Sequence, residues 1–400
     1  MMLEIKKENL LMSNIIQPHG SYEILPLLSK DKVRALARAT EIPKIVVTTR
    51  EASDIIMLGI GAFTPLTGFM DHDDWRSVCY DYALKSKPGV FWPIPITLSI
   101  DSDTHQKING HKEIALQGLT GEILAIMQVQ STYKIDKEEE CKEVFRTVDP
   151  RNPGVAKVFS QGEISISGPI EVISELSYPK EFSSIYIRPV ETRKIFEEKG
   201  WKTIAALQLR NPMHNSHMYL GWIGLEVCDG LFIHQIIGKL KDDDIPAEVR
   251  VKAVDVLVQK YMNTPRIIQG GYPMEMRYAG PREALLHAVF RQNFGCTHII
   301  IGRDHAGVGK YYGPFDAQNI FDEIPKDSLQ IKPLKLDWTF YCYRCQSMAS
   351  LKTCPHTEKD RLLLSGTELR RLLRENKEVP KEFSKPEVLE ILRGYYKTIQ

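Results

Sequence analysis

The spacing of apolar and polar positions divides the chain into three textures. Up to about residue 175, short β-rich segments are broken by Gly and Pro, as in FWPIPITLSI (91–100), IALQGLTGEILAIMQVQSTYKI (114–135) and GEISISGPIEVI (162–173). Helical periodicity intervenes at DKVRALARA (31–39), so a mixed, strand-dominated first domain is expected over 1–175. The middle reads differently. KTIAALQL (202–209), GLFIHQIIG (230–238), PRIIQGG (265–271) and THIIIG (297–302) are short continuous apolar runs of the kind that form buried parallel strands. Helical spacing separates them. Met218, Trp222 and Leu225 lie on one face, Ala247, Val251, Val254, Val258 and Tyr261 on another, and PREALLHAVFRQNFG opens on Pro281 and stops at Gly295. Alternating strands and helices of these lengths predict an α/β domain over 176–326, a doubly wound parallel sheet with right-handed crossovers. In such sheets ligands bind beyond the carboxyl ends of the strands. The remainder, 327–400, is expected to be a small unit with two helices. Ser365 with Glu368 and Ser384 with Glu387 fit capping boxes for these helices.

Composition narrows the function classes. The 400 residues carry 52 Lys plus Arg against 51 Asp plus Glu, so no whole-chain field attracts nucleic acid or an acidic membrane, and any anion site must be local. Glu4, Glu8 and Asn9 interrupt the first apolar stretch, against a secretory signal. No apolar run approaches the roughly 18 residues that span a bilayer. A cytoplasmic protein is expected. Of seven cysteines, Cys342, Cys345 and Cys354 crowd near His356, which favours a metal over a disulfide framework; Cys79, Cys141, Cys228 and Cys296 read as ordinary buried thiols.

Candidate chemistry concentrates in QLRNPMHNSH (208–217), directly after one expected strand and leading into a helix. A helix start offers unpaired N–H groups and partial positive charge, which together favour an anion. If the helix begins near Met213, His214 and His217 project from one side, and Gly221 and Gly224 leave that side uncrowded. Arg210 adds a fork for oxyanions, and Gln208 and Asn211 add amide donors. The competing reading is a polar loop whose histidines cap the helix or bind a metal. A second strand runs into Gly302, Arg303, Asp304, His305, Ala306 and Gly307. Two such loops facing across a crevice imply a nucleotide or phosphate enzyme. Asp304 either orients Arg303 or a loop amide or forms a structural ion pair.

Together with MRYAGPREALLHA (276–288) and GCTHIIIGRDHAGVG (295–309), the stretch QLRNPMHNSH resembles the ATP sulfurylase (sulfate adenylyltransferase) family. QPHG (17–20), LGIGAFTPLTGFM (58–70), WPIPITL (92–98), KDDDIP (241–246) and LSGTELRRLL (364–373) extend the resemblance over most of the chain. It implies a PUA-like first domain, a nucleotidyltransferase domain and a short C-terminal domain. The implied reaction joins ATP and sulfate into adenosine 5'-phosphosulfate and pyrophosphate. By resemblance, Gln208, Arg210 and Asn211 contact sulfate and the ATP phosphates, His214 and His217 stabilise the transition state, Gly302 to His305 hold the nucleotide, and the Ala306 amide lines the sulfate pocket. The adenine is expected near 336–340, Mg2+ is expected to arrive on the nucleotide, and a homodimer is expected. Two positions depart from the family: Leu209 stands where Thr is common, and Asn152 where His often precedes Pro-Gly-Val, a change expected to affect only the first domain. No GxxxxGK[ST] motif occurs, so no fused kinase is expected. The rival readings are another nucleotidyltransferase with a different acceptor and an RNA-binding PUA and zinc protein.

The chemistry suits these residue types. Sulfate is a dianion with no proton to lose, so its attack on the α-phosphorus needs no general base. Positioning and donors aimed at developing charge remain to be supplied. In the tail, Cys342 and Cys345 have the two-residue gap of a zinc knuckle, and Cys354 with His356 complete a Cys3His set with no open position for catalysis. The competing reading is a group of free thiols.

Overall fold

Seven short strands share the first sheet: β1 (Lys44–Val46), β2 (Gly68–Phe69), β3 (Leu98–Ile100), β4 (Glu113–Gln117), β5 (Ile123–Gln128), β6 (Ser131–Tyr133) and β7 (Ile164–Val172). The computed structural model describes residues 15–240, 244–364 and 366–398. The initial stretch with Glu4, Glu8 and Asn9, the Lys241 to Asp243 part of KDDDIP, and Ser365 of the first expected capping box lie outside the described residues. The sheet order is β1-β4-β5-β7-β2, and β3 and β6 also pair with β7. The long β7 can serve so many neighbours because Gly168 (φ +145) brings its backbone against Gln128, whose carbonyl oxygen a Cβ would meet at 1.9 Å.

The second sheet is wholly parallel. It contains β8 (Ile204–Leu209), β9 (Gly230–Ile236), β10 (Ile267–Tyr272), β11 (His298–Ile301) and β12 (Lys332–Lys335), in the order β10-β9-β8-β11-β12. Four of these strands coincide with the expected apolar runs. The fifth, KPLK, escaped notice because it is polar and holds Pro333, as an edge strand tolerates. The order of strands reverses between β8 and β11, which is where a doubly wound sheet opens its ligand crevice. β8 registers with β9 along its whole length but with β11 only at Ala205 and Ala206, so the two strands part toward their carboxyl ends.

The Pro281–Asn293 helix is buried all round, including Arg282, Glu283, His287 and Arg291, because it lies between this sheet and the first domain. Its stop is as expected, with Gly295 at φ +93. Ionic contacts tie the two domains. Arg277 Nη2 lies 2.6 Å from Asp54 Oδ1, and Glu275 receives the Thr49 hydroxyl at 2.6 Å and Lys157 Nζ at 3.1 Å. Asn152 belongs to this seam. It caps the Pro153–Phe159 helix through Gly154 N–H and also donates to the Tyr278 carbonyl at 3.3 Å, so its influence is not confined to the first domain. Leu209 points into apolar core beside Met213 and Leu207.

In the tail, β13 (Thr339–Cys342), β14 (Ser347–Ser350) and β15 (Arg361–Leu362) make a small antiparallel sheet ahead of the Gly366–Arg374 and Pro386–Thr398 helices. The second expected capping box does not form. Pro386 starts the helix, the buried Ser384 hydroxyl has no partner, and the Glu387 carboxylate reaches Lys260 Nζ (3.0 Å) and the Tyr261 hydroxyl (2.7 Å) on a neighbouring helix instead. Cys79, Cys141, Cys228 and Cys296 are buried, as expected.

Candidate active site

Both loops rise where β8 and β11 diverge, and they line one cavity of about 770 Å³. Gln208, Arg210, Asn211, His214 and His217 come from the first loop and Gly302, Arg303, Asp304, His305 and Ala306 from the second, so every expected substrate-site residue reaches the same cleft. A cavity of this size suits a nucleotide.

The first loop does not place both histidines in the helix. The Asn215–Val227 helix starts one residue after His214, which is its N-cap; His217 is the third helical residue. The pair caps the helix reciprocally. Ser216 N–H donates to His214 Nδ1 (3.3 Å), and His214 N–H donates to His217 Nδ1 (3.4 Å). Since each Nδ1 accepts, each neutral ring carries its proton on Nε2. Burial holds both rings neutral, His214 well below its ordinary range with help from His217, and His217 down to about 4. The capping reading and the ligand reading are therefore compatible, because capping uses Nδ1 and leaves Nε2–H as a donor. Gly221 and Gly224 serve another purpose than the one expected. A Cβ on Gly224 would meet Ile300 at 2.8 Å and one on Gly221 would meet Leu231 at 3.2 Å, so they let the helix pack closely on the sheet rather than open the cleft.

Arg210 joins the loops. Its Nη1 donates to the Gly307 carbonyl (3.3 Å), and its guanidinium lies 5.6 Å from the Tyr278 ring centre. Gln208 Nε2 reaches the Tyr272 hydroxyl at 3.3 Å. In the second loop, Asp304 and Ala306 adopt left-handed backbone angles (φ 55 and 57), and the Ala306 carbonyl accepts Gly280 N–H at 3.2 Å. Asp304 Oδ2 pairs with Arg303 Nε at 2.9 Å, and the Arg303 guanidinium stacks 4.2 Å from the Trp338 ring centre.

The tail supplies residues that local pattern did not reveal. Phe383 stacks on His214, ring centres 4.5 Å apart, and its carbonyl accepts Asn215 N–H at 3.0 Å. Asn215 Nδ2 also donates to the Glu382 carbonyl at 2.8 Å. Trp338 and Phe340 come from the 336–340 segment singled out for adenine, and both line the cleft.

Cys342, Cys345, Cys354 and His356 gather with all four ligand atoms within 4.8 Å of one another. The Cys345 and Cys354 sulfurs are 3.7 Å apart, and His356 Nδ1 lies 3.4, 3.2 and 3.7 Å from the sulfurs of Cys342, Cys345 and Cys354. A tetrahedral ion with sulfur at about 2.3 Å and nitrogen at about 2.0 Å needs roughly 3.8 Å between sulfurs and roughly 3.5 Å from sulfur to nitrogen. The quartet fits. Cys345 N–H also points at Cys342 Sγ (3.4 Å), a contact that steadies a ligand thiolate.

A family model described as ATP-sulfurylase matches residues 183–395, and a PUA-like domain model matches 16–175. The chain belongs to the ATP-sulfurylase family. Relatives within it include proteins named sulfate adenylyltransferase from Syntrophobacter fumaroxidans, 58% identical over 96% of this chain and 95% of the relative, and from Chlorobium chlorochromatii, 55% identical over 96% of each. A solved structure described as the hexameric APS kinase from Thiobacillus denitrificans shares the fold, with a TM-score of 0.72 at 22% identity over 95% of this chain and 68% of that one. Among the described residues no helix is long and apolar enough to cross a membrane.

Proposed function

We propose that this chain is a sulfate adenylyltransferase that joins sulfate to the α-phosphorus of ATP by in-line attack, giving adenosine 5'-phosphosulfate and pyrophosphate reversibly. The observation that carries the reading is the meeting of the two loops at the reversal point of the parallel sheet, in one cavity lined by Arg210, His214, His217 and the 302–306 turn. Gln208, Arg210 and Asn211 bind the sulfate and phosphate oxygens. His214 and His217 aim Nε2–H groups at charge that develops between the α and β phosphates, and they do so without carrying a proton that would have to be released. Gly302, Arg303, Asp304 and His305 hold the nucleotide, and the Ala306 amide faces the sulfate. Mg2+ enters on the nucleotide, where it neutralises the leaving pyrophosphate.

The Cys3His quartet holds a structural Zn2+, supported by the gathering of its four ligand atoms and by the 3.2 to 3.7 Å separations of His356 and Cys345 from their neighbours. Cys342, Cys345, Cys354 and His356 fill four positions, and the metal joins a hairpin too small to have its own core. Because Thr339, Phe340, Tyr341 and Met348 on that hairpin line the cleft, the metal also stiffens one wall of the active site. The functional organisation is a PUA-like domain at 1–175, a nucleotidyltransferase domain at 176–326 and a zinc-bearing unit at 327–400. The chain acts in the cytoplasm, as a homodimer.

Pyrophosphate release from MgATP tests the activity. Release that depends on sulfate, with ATP formed from adenosine 5'-phosphosulfate and pyrophosphate in reverse, is the expected result; release indifferent to any oxyanion acceptor would sink the reading.

A further inference from the structure

Behind the second loop, three side chains stand in file from the interior to the cleft: Glu283, His287 and His305. Glu283 is completely buried, and its carboxylate accepts the N–H groups of Arg277 (2.8 Å) and Ala279 (3.2 Å). His287 is equally buried. Its Nε2 has no hydrogen-bond partner, and Glu283 Oε1 lies 3.6 Å from it. Its Nδ1 lies 3.0 Å from His305 Nε2.

Proton bookkeeping along this file has one solution while Glu283 is ionised. Burial opposes ionisation, but the His287 ring and the two backbone N–H groups hold the Glu283 carboxyl below its usual range. His287 must then turn Nε2–H toward the carboxylate, which leaves Nδ1 as an acceptor. The donor for that acceptor is His305 Nε2–H. His305 lines the cleft, and its Nδ1 is left as the nitrogen that His287 does not engage; in a neutral ring it is bare.

We propose that Glu283 and His287 are positioning residues for His305: they fix its ring with Nε2 inward and Nδ1 toward the cleft, and they let His305 take up a proton at Nδ1 when a polyphosphate enters. The proton comes from solvent. It converts a bare nitrogen, which phosphate oxygens would repel, into an N–H donor whose positive charge is shared toward Glu283.

The surroundings explain why the proton arrives only with the ligand. Arg210 from the first loop, Arg291 from the Pro281–Asn293 helix and the His234 ring of β9 are cationic or neutral, and Arg303 and Asp304 beside His305 are paired with each other. Glu283 is the anion within the file. Burial first, then His287, Arg291 and Arg210, hold His305 well below its ordinary range in the empty cleft. An incoming polyphosphate reverses that balance.

The inference rests on the reading of the cleft as the ATP and sulfate site, and the two can fail separately. Sulfate-dependent pyrophosphate release by the unaltered chain tests the reading; imidazole tautomers are observed with no substrate present. Calorimetric titration of MgATP at pH 8, in buffers of different ionisation heat, is expected to show about one proton taken up per site beyond the nucleotide's own. In Glu283→Gln the uptake falls by at least half. The KM for ATP rises about tenfold at pH 8, the equivalent of one pKa unit, while kcat stays within about threefold. At pH 6 the difference persists, and it narrows as the pH is raised toward 10, where neither protein protonates His305; a merely structural defect would not produce that pH dependence. A folded Glu283→Gln with unchanged uptake and unchanged KM overturns the proposal. If that variant does not fold, 15N spectra of the unaltered protein decide: Nε2–H on both His287 and His305 supports it, and Nδ1–H on either overturns it.

Discussion

Replacing Asp54 with Ala removes the carboxylate that faces Arg277 across the seam between the first two domains. The two side chains are only 3% and 5% exposed, and they meet at 2.6 Å. Arg277 Nε already lacks a partner, so the variant leaves a buried guanidinium with no carboxylate bonded to it, Glu283 and Glu275 acting only at longer range. Breaking one side of such a pair costs about 3 to 5 kcal/mol, whereas replacing both partners by apolar residues of similar volume is close to neutral. An unfolding entropy of about 2.1 cal/mol/K per residue over this chain gives about 0.8 kcal/mol per degree, so Asp54→Ala should lower Tm by about 4 to 6 °C. The double variant Asp54→Leu/Arg277→Met should recover most of that loss. Thermal unfolding of the four proteins in the cycle reads the coupling directly. Activity should fall too, because Arg277 N–H is one of the groups that seat Glu283 under the second loop. A loss below about 1 kcal/mol, or single variants whose effects add to that of the double, would refute the reasoning.

Three further outcomes are expected. His214→Ala and His217→Ala should each lower kcat for pyrophosphate release about 10² to 10³-fold, the usual effect of removing a preorganised donor, while Tm moves by no more than a lost helix cap explains. His217 titrates near 4 when folded and near 6.5 when unfolded, so between those values the unfolded chain binds a proton that the native chain does not. Stability is therefore fully present above about pH 6.5 and is lost as pH falls toward 4; urea midpoints at pH 7 and pH 5 should show it, with a shallower fall in His217→Gln. Metal analysis should find one equivalent per chain, and Cys345→Ser should lose it, loosen the tail to proteolysis and raise the KM for ATP, as limited digestion and initial rates would record.

Much of the architecture was legible because it follows from short-range rules. Four of the five strands of the parallel sheet announced themselves as apolar runs, Pro281 and Gly295 marked both ends of a helix, and the two polar loops followed directly from strands. Position after a strand is what brought ten separate residues into one cleft. The rest depends on partners remote in the chain. Phe383 reaches His214 from the tail, and nothing around Lys-Glu-Phe-Ser suggests a ring that covers a histidine of the cleft. Glu387 has the spacing of a capping residue, but Lys260 and Tyr261 from another helix claim its carboxylate. Gly221 and Gly224 share a face with the histidines, and only the sheet beneath shows that closeness to Leu231 and Ile300 is their purpose. His287 looks like one polar residue in an apolar helix until His305 is placed 3.0 Å from it.

The parting of β8 from β11 gives the cleft the form of a wedge. Its vertex is the ladder joining Ala205 to His298 and Ala206 to Ile299, where the strands are held about 4.8 Å apart like any neighbours in a sheet. Near a vertex only small occupants fit, and the width there cannot change unless backbone hydrogen bonds break. Toward the mouth the constraint relaxes, and the walls are the tail's Phe383 and Trp338. Any adjustment to a bulkier guest is consequently left to the rim, while the inner end keeps a fixed width.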